Sequence, residues 1–216
     1  MAHFFSYQVF DNINKNVFSF CIALIYLQLC HQRKKMRVGI FCSANNQIDA
    51  VYFEKTAELG RWLAQNGHEV VFGGCNLGLM ECVARAAVEA GGRTVGVVPG
   101  IIEEHGRTSA FVSELVMCKD LNERKALMLG RSDVFVALPG GVGTLDEVFT
   151  VVASYTIGYH RKRVVLYNVN GFWNSLIALL KDMDGKGVIR GDWRAYIGVA
   201  DNLEELQQQM MISTNQ

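Results

Sequence analysis

Val134-Phe135-Val136-Ala137-Leu138-Pro139-Gly140-Gly141-Val142-Gly143-Thr144-Leu145-Asp146-Glu147-Val148-Phe149 passes from an apolar run through glycines into an amphipathic run. It reads as strand, tight loop and helix. The three glycines let the backbone turn where a side chain would obstruct it, and they leave amide N–H groups open to a ligand. Thr144 is the expected N-cap of the helix. A helix start carries unpaired N–H groups and the positive end of the macrodipole, so Gly140 to Thr144 would hold a monophosphate-sized anion largely by backbone. Asp146 and Glu147 fall in the first turn, where acids also serve as plain dipole partners.

Outward from this stretch, short β-rich apolar runs alternate with helical ones. Expected strands are Arg37 to Cys42, Glu69 to Phe72, Thr94 to Val98, Glu114 to Met117, Val134 to Leu138 and Arg163 to Tyr167. Helices are expected from Ala50 to about Gly67, Leu79 to Ala90, Leu121 to Gly130, Thr144 to Ile157, Phe172 to Met183 and Leu203 to Met211. Gly100 to Ser113 reads as an irregular loop. This alternation is the signature of an α/β fold, a parallel sheet with helices on both faces, in a single domain over residues 36–213. Pro99 and Pro139 both close strands at the edge where such sheets bind ligands.

Residues 1–35 are set apart from this pattern as a non-domain N-terminal extension. The apolar run Val17 to Cys30 is shorter than the roughly 20 residues of a spanning helix. Its charge follows it at Arg33, Lys34 and Lys35, unlike a signal peptide. No membrane partner is expected, and the α/β pattern starting abruptly at Met36 favours reading the extension as sequence ahead of the domain's own start.

Of the 216 residues, 50% are hydrophobic, enough for one α/β domain with a full core. Formal net charge is zero, and because residues 1–35 are basic the remainder is mildly acidic. A nucleic-acid surface would show a basic stripe, so no nucleic-acid partner is expected. The six cysteines form no CxxC pair and sit mostly in apolar surroundings, as reduced thiols of the cytoplasm do. The five histidines show no HxxxH or HxH spacing, so no metal is expected. GxGxxG and GxxxxGK[ST] are both absent, which argues against a dinucleotide cofactor or ATP hydrolysis.

A second glycine-rich turn, Gly73-Gly74-Cys75-Asn76-Leu77-Gly78, ends on the same sheet edge. Gly73, Gly74, Asn76 and Met80 are candidates to line a pocket with the first loop. Arg124 and Lys125 precede the motif strand; an ordinary Arg-Lys pair is solvated, but beside an anion cradle an arginine offers a planar bidentate donor. Asp146 and Glu147 project about 100° apart around the helix, so they form no facing dyad, and one of them is expected to reach the ligand. Glu103, Glu104 and His105 are lesser candidates.

Leu138 to Glu147 fits PGGxGTxxE, and with Arg124-Lys125 and Gly73 to Met80 it closely resembles the LOG ("lonely guy") family of nucleoside 5′-monophosphate phosphoribohydrolases, long labelled possible lysine decarboxylases. The resemblance runs from Met36 to about Asn202 and includes Gly171 to Leu176. It implies a Rossmann-like fold, a homodimer, no cofactor, and hydrolysis of cytokinin riboside monophosphates or AMP to free base and ribose 5-phosphate. The family's catalytic arginine and glutamate map onto Arg124 and Glu147, and its phosphate loop onto Gly140, Gly141, Val142, Gly143 and Thr144. The sequence departs from the family at Cys75, where the run is usually GGG, at Glu81, where it is GLMG, and over Gly100 to Gly106. These departures concern base specificity rather than the reaction.

In the implied chemistry the glycine loop grips the 5′-phosphate and orients the ribose. Glu147 either holds ribose hydroxyls and stabilises an oxocarbenium-like state or positions the water, while Arg124 orients the phosphate and the departing base. The alternative reading is a non-catalytic carrier of a phosphorylated nucleotide-like cofactor of the molybdenum-cofactor type. Binding alone would not need a carboxylate beside a phosphate. A lysine decarboxylase would need a Schiff-base lysine and a pyridoxal phosphate site, for which the sequence offers no support.

Overall fold

The strands are near-continuous apolar runs, as expected of a sheet buried on both faces. In the computed structural model, which describes residues 35–212, they form one seven-stranded parallel sheet in the order β4-β3-β2-β1-β5-β6-β7. The strands are β1 Arg37–Phe41, β2 Glu69–Phe72, β3 Arg93–Pro99, β4 Glu114–Cys118, β5 Val134–Ala137, β6 Val164–Tyr167 and β7 Ile197–Ala200. The helices are α1 Ala50–Gln65, α2 Gly78–Glu89, α3 Gly100–Glu104, α4 Leu121–Arg131, α5 Val142–Ile157, α6 Asn174–Gly185 and α7 Leu203–Ile212. The extension expected over residues 1–35 lies, apart from Lys35, outside the described residues.

Period-two alternation divides the core into two layers. Ile40, Val70, Phe72, Val136 and Tyr167 face α1, α2 and α7, meeting Leu59, Val83 and Leu206. Phe41, Val71, Phe135, Ala137 and Leu166 face α4, α5 and α6, meeting Met128, Val148 and Leu180. Gly39 is needed because a Cβ there would run into the Phe135 ring, which stacks on Phe41 with centroids 5.1 Å apart.

The chain adds strands β2 to β4 on one side of β1, then crosses to place β5 on the other. A crevice therefore opens beyond the carboxyl ends of β1 and β5, the place where open α/β sheets bind ligands. The expected fold class stands, with three local differences. Ile197–Ala200 forms a seventh strand that was not anticipated. The segment after β3 is not wholly irregular, since Gly100–Glu104 makes a short helix. Helix α5 starts two residues earlier than expected: its N-cap is Gly141, without a side-chain cap, and Thr144 is a buried residue of the first turn.

Candidate active site

The crevice is a cavity of about 370 Å³, within the roughly 300–1,000 Å³ of small-molecule sites. One wall is the start of α5, contributing Gly141, Gly143, Thr144, Asp146 and Glu147. A second is α4 with Leu121, Arg124 and Lys125, and a third is Met80 of α2. The fourth is the turn after β1, Cys42 to Asn45.

Backbone bonds knit these walls together. Ser43 N donates to Pro139 O at 3.1 Å, and Leu79 N donates to Ser43 O at 2.9 Å. Gly78 N donates to Asn46 Oδ1 at 2.7 Å. Gly78 holds a positive φ of 58° and lies directly on the Ala44 backbone, so no side chain fits there. At the α5 start Leu145 N donates to Gly141 O at 3.1 Å, the bond that opens the helical ladder. The amides of Val142, Gly143 and Thr144 thus precede the ladder, at the end where the macrodipole favours an anion.

Glu147 is only 5% exposed, and Arg124 Nη1 lies 3.1 Å from its Oε1. Burial outweighs the attraction of Arg124 and pushes the carboxyl up from 4.5 to about 7, with the neighbouring Asp146 adding to the rise and Lys125 opposing it. Near neutral pH this one carboxyl is close to its midpoint. Arg124 Nε is buried with no hydrogen-bond partner. Cys42 lies beneath the pair, and burial followed by the Glu147 charge pushes its thiol well up, which keeps it protonated. One residue along the helix, Asp146 points outward and accepts from Lys125 Nζ at 2.8 and 2.9 Å. The two acids diverge as their helical spacing requires.

Eight expected site residues border the cavity: Arg124, Glu147, Lys125, Asp146, Gly141, Gly143, Thr144 and Met80. The other five stand outside its lining. Gly140 lies under the Thr144 side chain, leaving no room for a Cβ, and Val142 is 84% exposed. A Cβ on Gly73 would overlap the Arg124 guanidinium and come within 3.1 Å of Met80 Sδ. Gly73 therefore makes space for the catalytic candidate itself. Gly74 has a φ of 70° and packs beneath Val98. Asn76 is tied to the following loop, its amide to Arg107 O at 2.8 Å and its side chain to Gly106 O at 3.3 Å. Glu103 accepts from Thr108 Oγ1, and Glu103, Glu104 and His105 lie off the cavity. The Cys42 to Asn45 wall and Leu121 were not anticipated. Their signal is positional, since β1 is the strand that neighbours β5.

A family model described as "Possible lysine decarboxylase" matches residues 80–210. The probable cytokinin riboside 5′-monophosphate phosphoribohydrolase LOGL1 of Oryza sativa subsp. japonica is 36% identical over 174 residues, 81% of this chain and 78% of that protein. The cytokinin riboside 5′-monophosphate phosphoribohydrolase LOG5 of Arabidopsis thaliana is 35% identical over 174 residues, 81% and 76% of the two chains. Among solved structures, the molybdenum cofactor binding protein of Rippkaea orientalis aligns with a TM-score of 0.65 at 23% identity, covering 86% of this chain and 100% of that one. That last likeness is one of fold.

Proposed function

Since the chain belongs to the LOG family, whose named relatives are cytokinin riboside 5′-monophosphate phosphoribohydrolases, we propose that its cavity hydrolyses the N-glycosidic bond of a nucleoside 5′-monophosphate, cytokinin riboside monophosphate or AMP. The products are the free base and ribose 5-phosphate. The observation that carries this reading is the buried Arg124–Glu147 pair in the cavity wall beside the uncapped start of α5.

The 5′-phosphate sits on the amides of Gly143 and Thr144, whose orientation binds and aligns the ribose. As the bond from C1′ to the base nitrogen breaks, its electron pair leaves with the base and positive charge develops on the sugar. The Glu147 carboxylate, desolvated and held by Arg124, stabilises that charge more strongly than a solvated acid could. Water adds at C1′, and its proton balances the charge on the departing base. No step draws on a metal or cofactor. The likeness to a molybdenum-cofactor protein, at 23% identity, is one of fold alone, and the named phosphoribohydrolase relatives favour the hydrolytic reading over the carrier one.

Two further readings accompany this one. The outward face of α5, with Val142, Phe149 and Ile157 at 84%, 39% and 69% exposure, supports a homodimer packed on that face, because large apolar side chains grouped at a surface are commonly covered by a partner. Free thiols at Cys42, Cys75, Cys82 and Cys118 support a reducing compartment, the cytoplasm; among the described residues no helix is long and apolar enough to cross a membrane.

The test is chromatography of protein incubated with AMP and with N6-isopentenyl AMP, beside Glu147→Ala. Free base and ribose 5-phosphate should appear with the native chain. The variant should fold and lose at least about 10²-fold in rate. Full activity in the variant would remove Glu147 from the reaction, and nucleotide binding without turnover in the native chain would restore the carrier reading.

A further inference from the structure

On the far side of the sheet, along the outer edge of β7 between α6 and α7, lies a second cavity of about 530 Å³. Arg163 lines it and is 5% exposed. A buried guanidinium ordinarily has a carboxylate partner, yet no ion pair of Arg163 is formed among the described residues. Its Nη2 donates to Arg194 O at 2.9 Å, and its remaining bonds, to Gln209 O and Oε1, are long at 3.5 Å. Its Nε is buried and unpartnered. Trp193, 3% exposed, borders the same cavity, and its indole Nε1 is likewise buried without a partner. Both orphan groups are donors only.

The rest of the lining extends this bias. Lys181 and Arg194 add two further cations, the second lying 5.0 Å over the Trp193 ring with its Nη1 donating to Asp192 Oδ1 at 3.1 Å. The single acid, Asp201, is engaged by Asn168 Nδ2 at 2.8 Å. It stands just beyond the carboxyl end of β7, whereas Arg163 and Arg194 precede β6 and β7, so the cations gather at the opposite end. Between the two ends run Ile177, Ile197 and Val199, a hydrophobic floor.

We propose that this cavity is a second, non-catalytic ligand site, which takes a small organic phosphate with its oxyanion on Arg163, Lys181 and Arg194 and a flat apolar body against Trp193 and Ile177. An oxyanion supplies the countercharge that the buried guanidinium lacks, and a planar fork suits it. The proposal does not rest on turnover in the first cavity.

The three tryptophans provide the readout. In the ¹⁵N-labelled full chain, Trp193→Phe assigns the Trp193 indole signal, and Trp173, whose indole donates to Ala137 O at 3.1 Å and which lines neither cavity, serves as internal control. The chain is titrated with inorganic phosphate and with phenyl phosphate at constant ionic strength. A saturable shift of the Trp193 signal with phenyl phosphate is expected, about tenfold weaker in Lys181→Glu and absent in Arg163→Gln. A matching shift with inorganic phosphate would assign recognition to the oxyanion alone, and its absence would assign part to the ring. Should Arg163→Gln fail to fold, exposed Lys181→Glu still decides. No saturable shift, a shift confined to Trp173, or unchanged affinity in Lys181→Glu would overturn the proposal.

Discussion

Replacing Glu147 by glutamine keeps the shape of the side chain and removes its titration. In the native protein burial lifts this carboxyl from 4.5 to about 7. The folded state therefore holds the proton to a higher pH than the unfolded chain does, and stability must fall as pH rises through that interval. At about 1.4 kcal/mol per pKa unit, the loss on crossing the window is about 3 kcal/mol. Glutamine shows no such loss, so the stability difference between native protein and Glu147→Gln should change by about 3 kcal/mol from about pH 4 to about pH 8, in the variant's favour at the alkaline end. Urea unfolding of both proteins across that range measures the difference, and any constant offset from leaving Arg124 without its partner cancels. A flat difference would show that burial does not dominate at this site. A native protein that gains on the variant as pH rises would show that Arg124 wins and holds the carboxyl ionised. On the proposed mechanism the native turnover climbs through about pH 7 while stability declines, because ionisation both arms Glu147 and costs the fold.

Gly73→Ala places a methyl where the Arg124 guanidinium and Met80 Sδ already lie; a loss of about 1–3 kcal/mol in unfolding stability should accompany a rate about 10² lower as Arg124 shifts, and retained full activity would show that the position of Arg124 is not critical. Phe149→Asp, on the exposed stripe of α5, should convert a dimer to a monomer in size-exclusion chromatography with light scattering; a native chain that already runs as a monomer would end the dimer reading.

Elements with a strong local pattern were legible in the sequence. The run Val134 to Phe149 declares its strand and helix by hydrophobicity and its loop by glycine, and the structure differs in ending the strand at Ala137 rather than Leu138 and starting α5 at Val142 rather than Thr144. The glycines themselves allowed the earlier start, because a backbone free to turn at Gly141 needs no hydroxyl cap. Ile197–Ala200 is four residues long with a glycine inside, too short for its period to stand out; its neighbour β6 is what makes it a strand. Arg124 and Glu147 were both legible as candidates, but their 3.1 Å contact comes from packing α4 against α5. Gly73 was read as pocket lining when its role is to vacate space for an arginine 51 positions later, information that no local window contains. The same holds for Ser43 and Asn45, small polar residues that look like an ordinary turn until β1 is set beside β5.

The turn after β1 is fastened through main-chain atoms, Ser43 N to Pro139 O and Ser43 O to Leu79 N. None of those bonds depends on the side chain at Ala44, a residue that borders the cavity. Position 44 is thus a place where the cavity wall can be altered by exchanging a side chain while the scaffold stays still. Gly78, pressed on the same backbone from the other side, has no such freedom. Residue 44 is open to exchange, and residue 78 is the glycine that holds the turn in place.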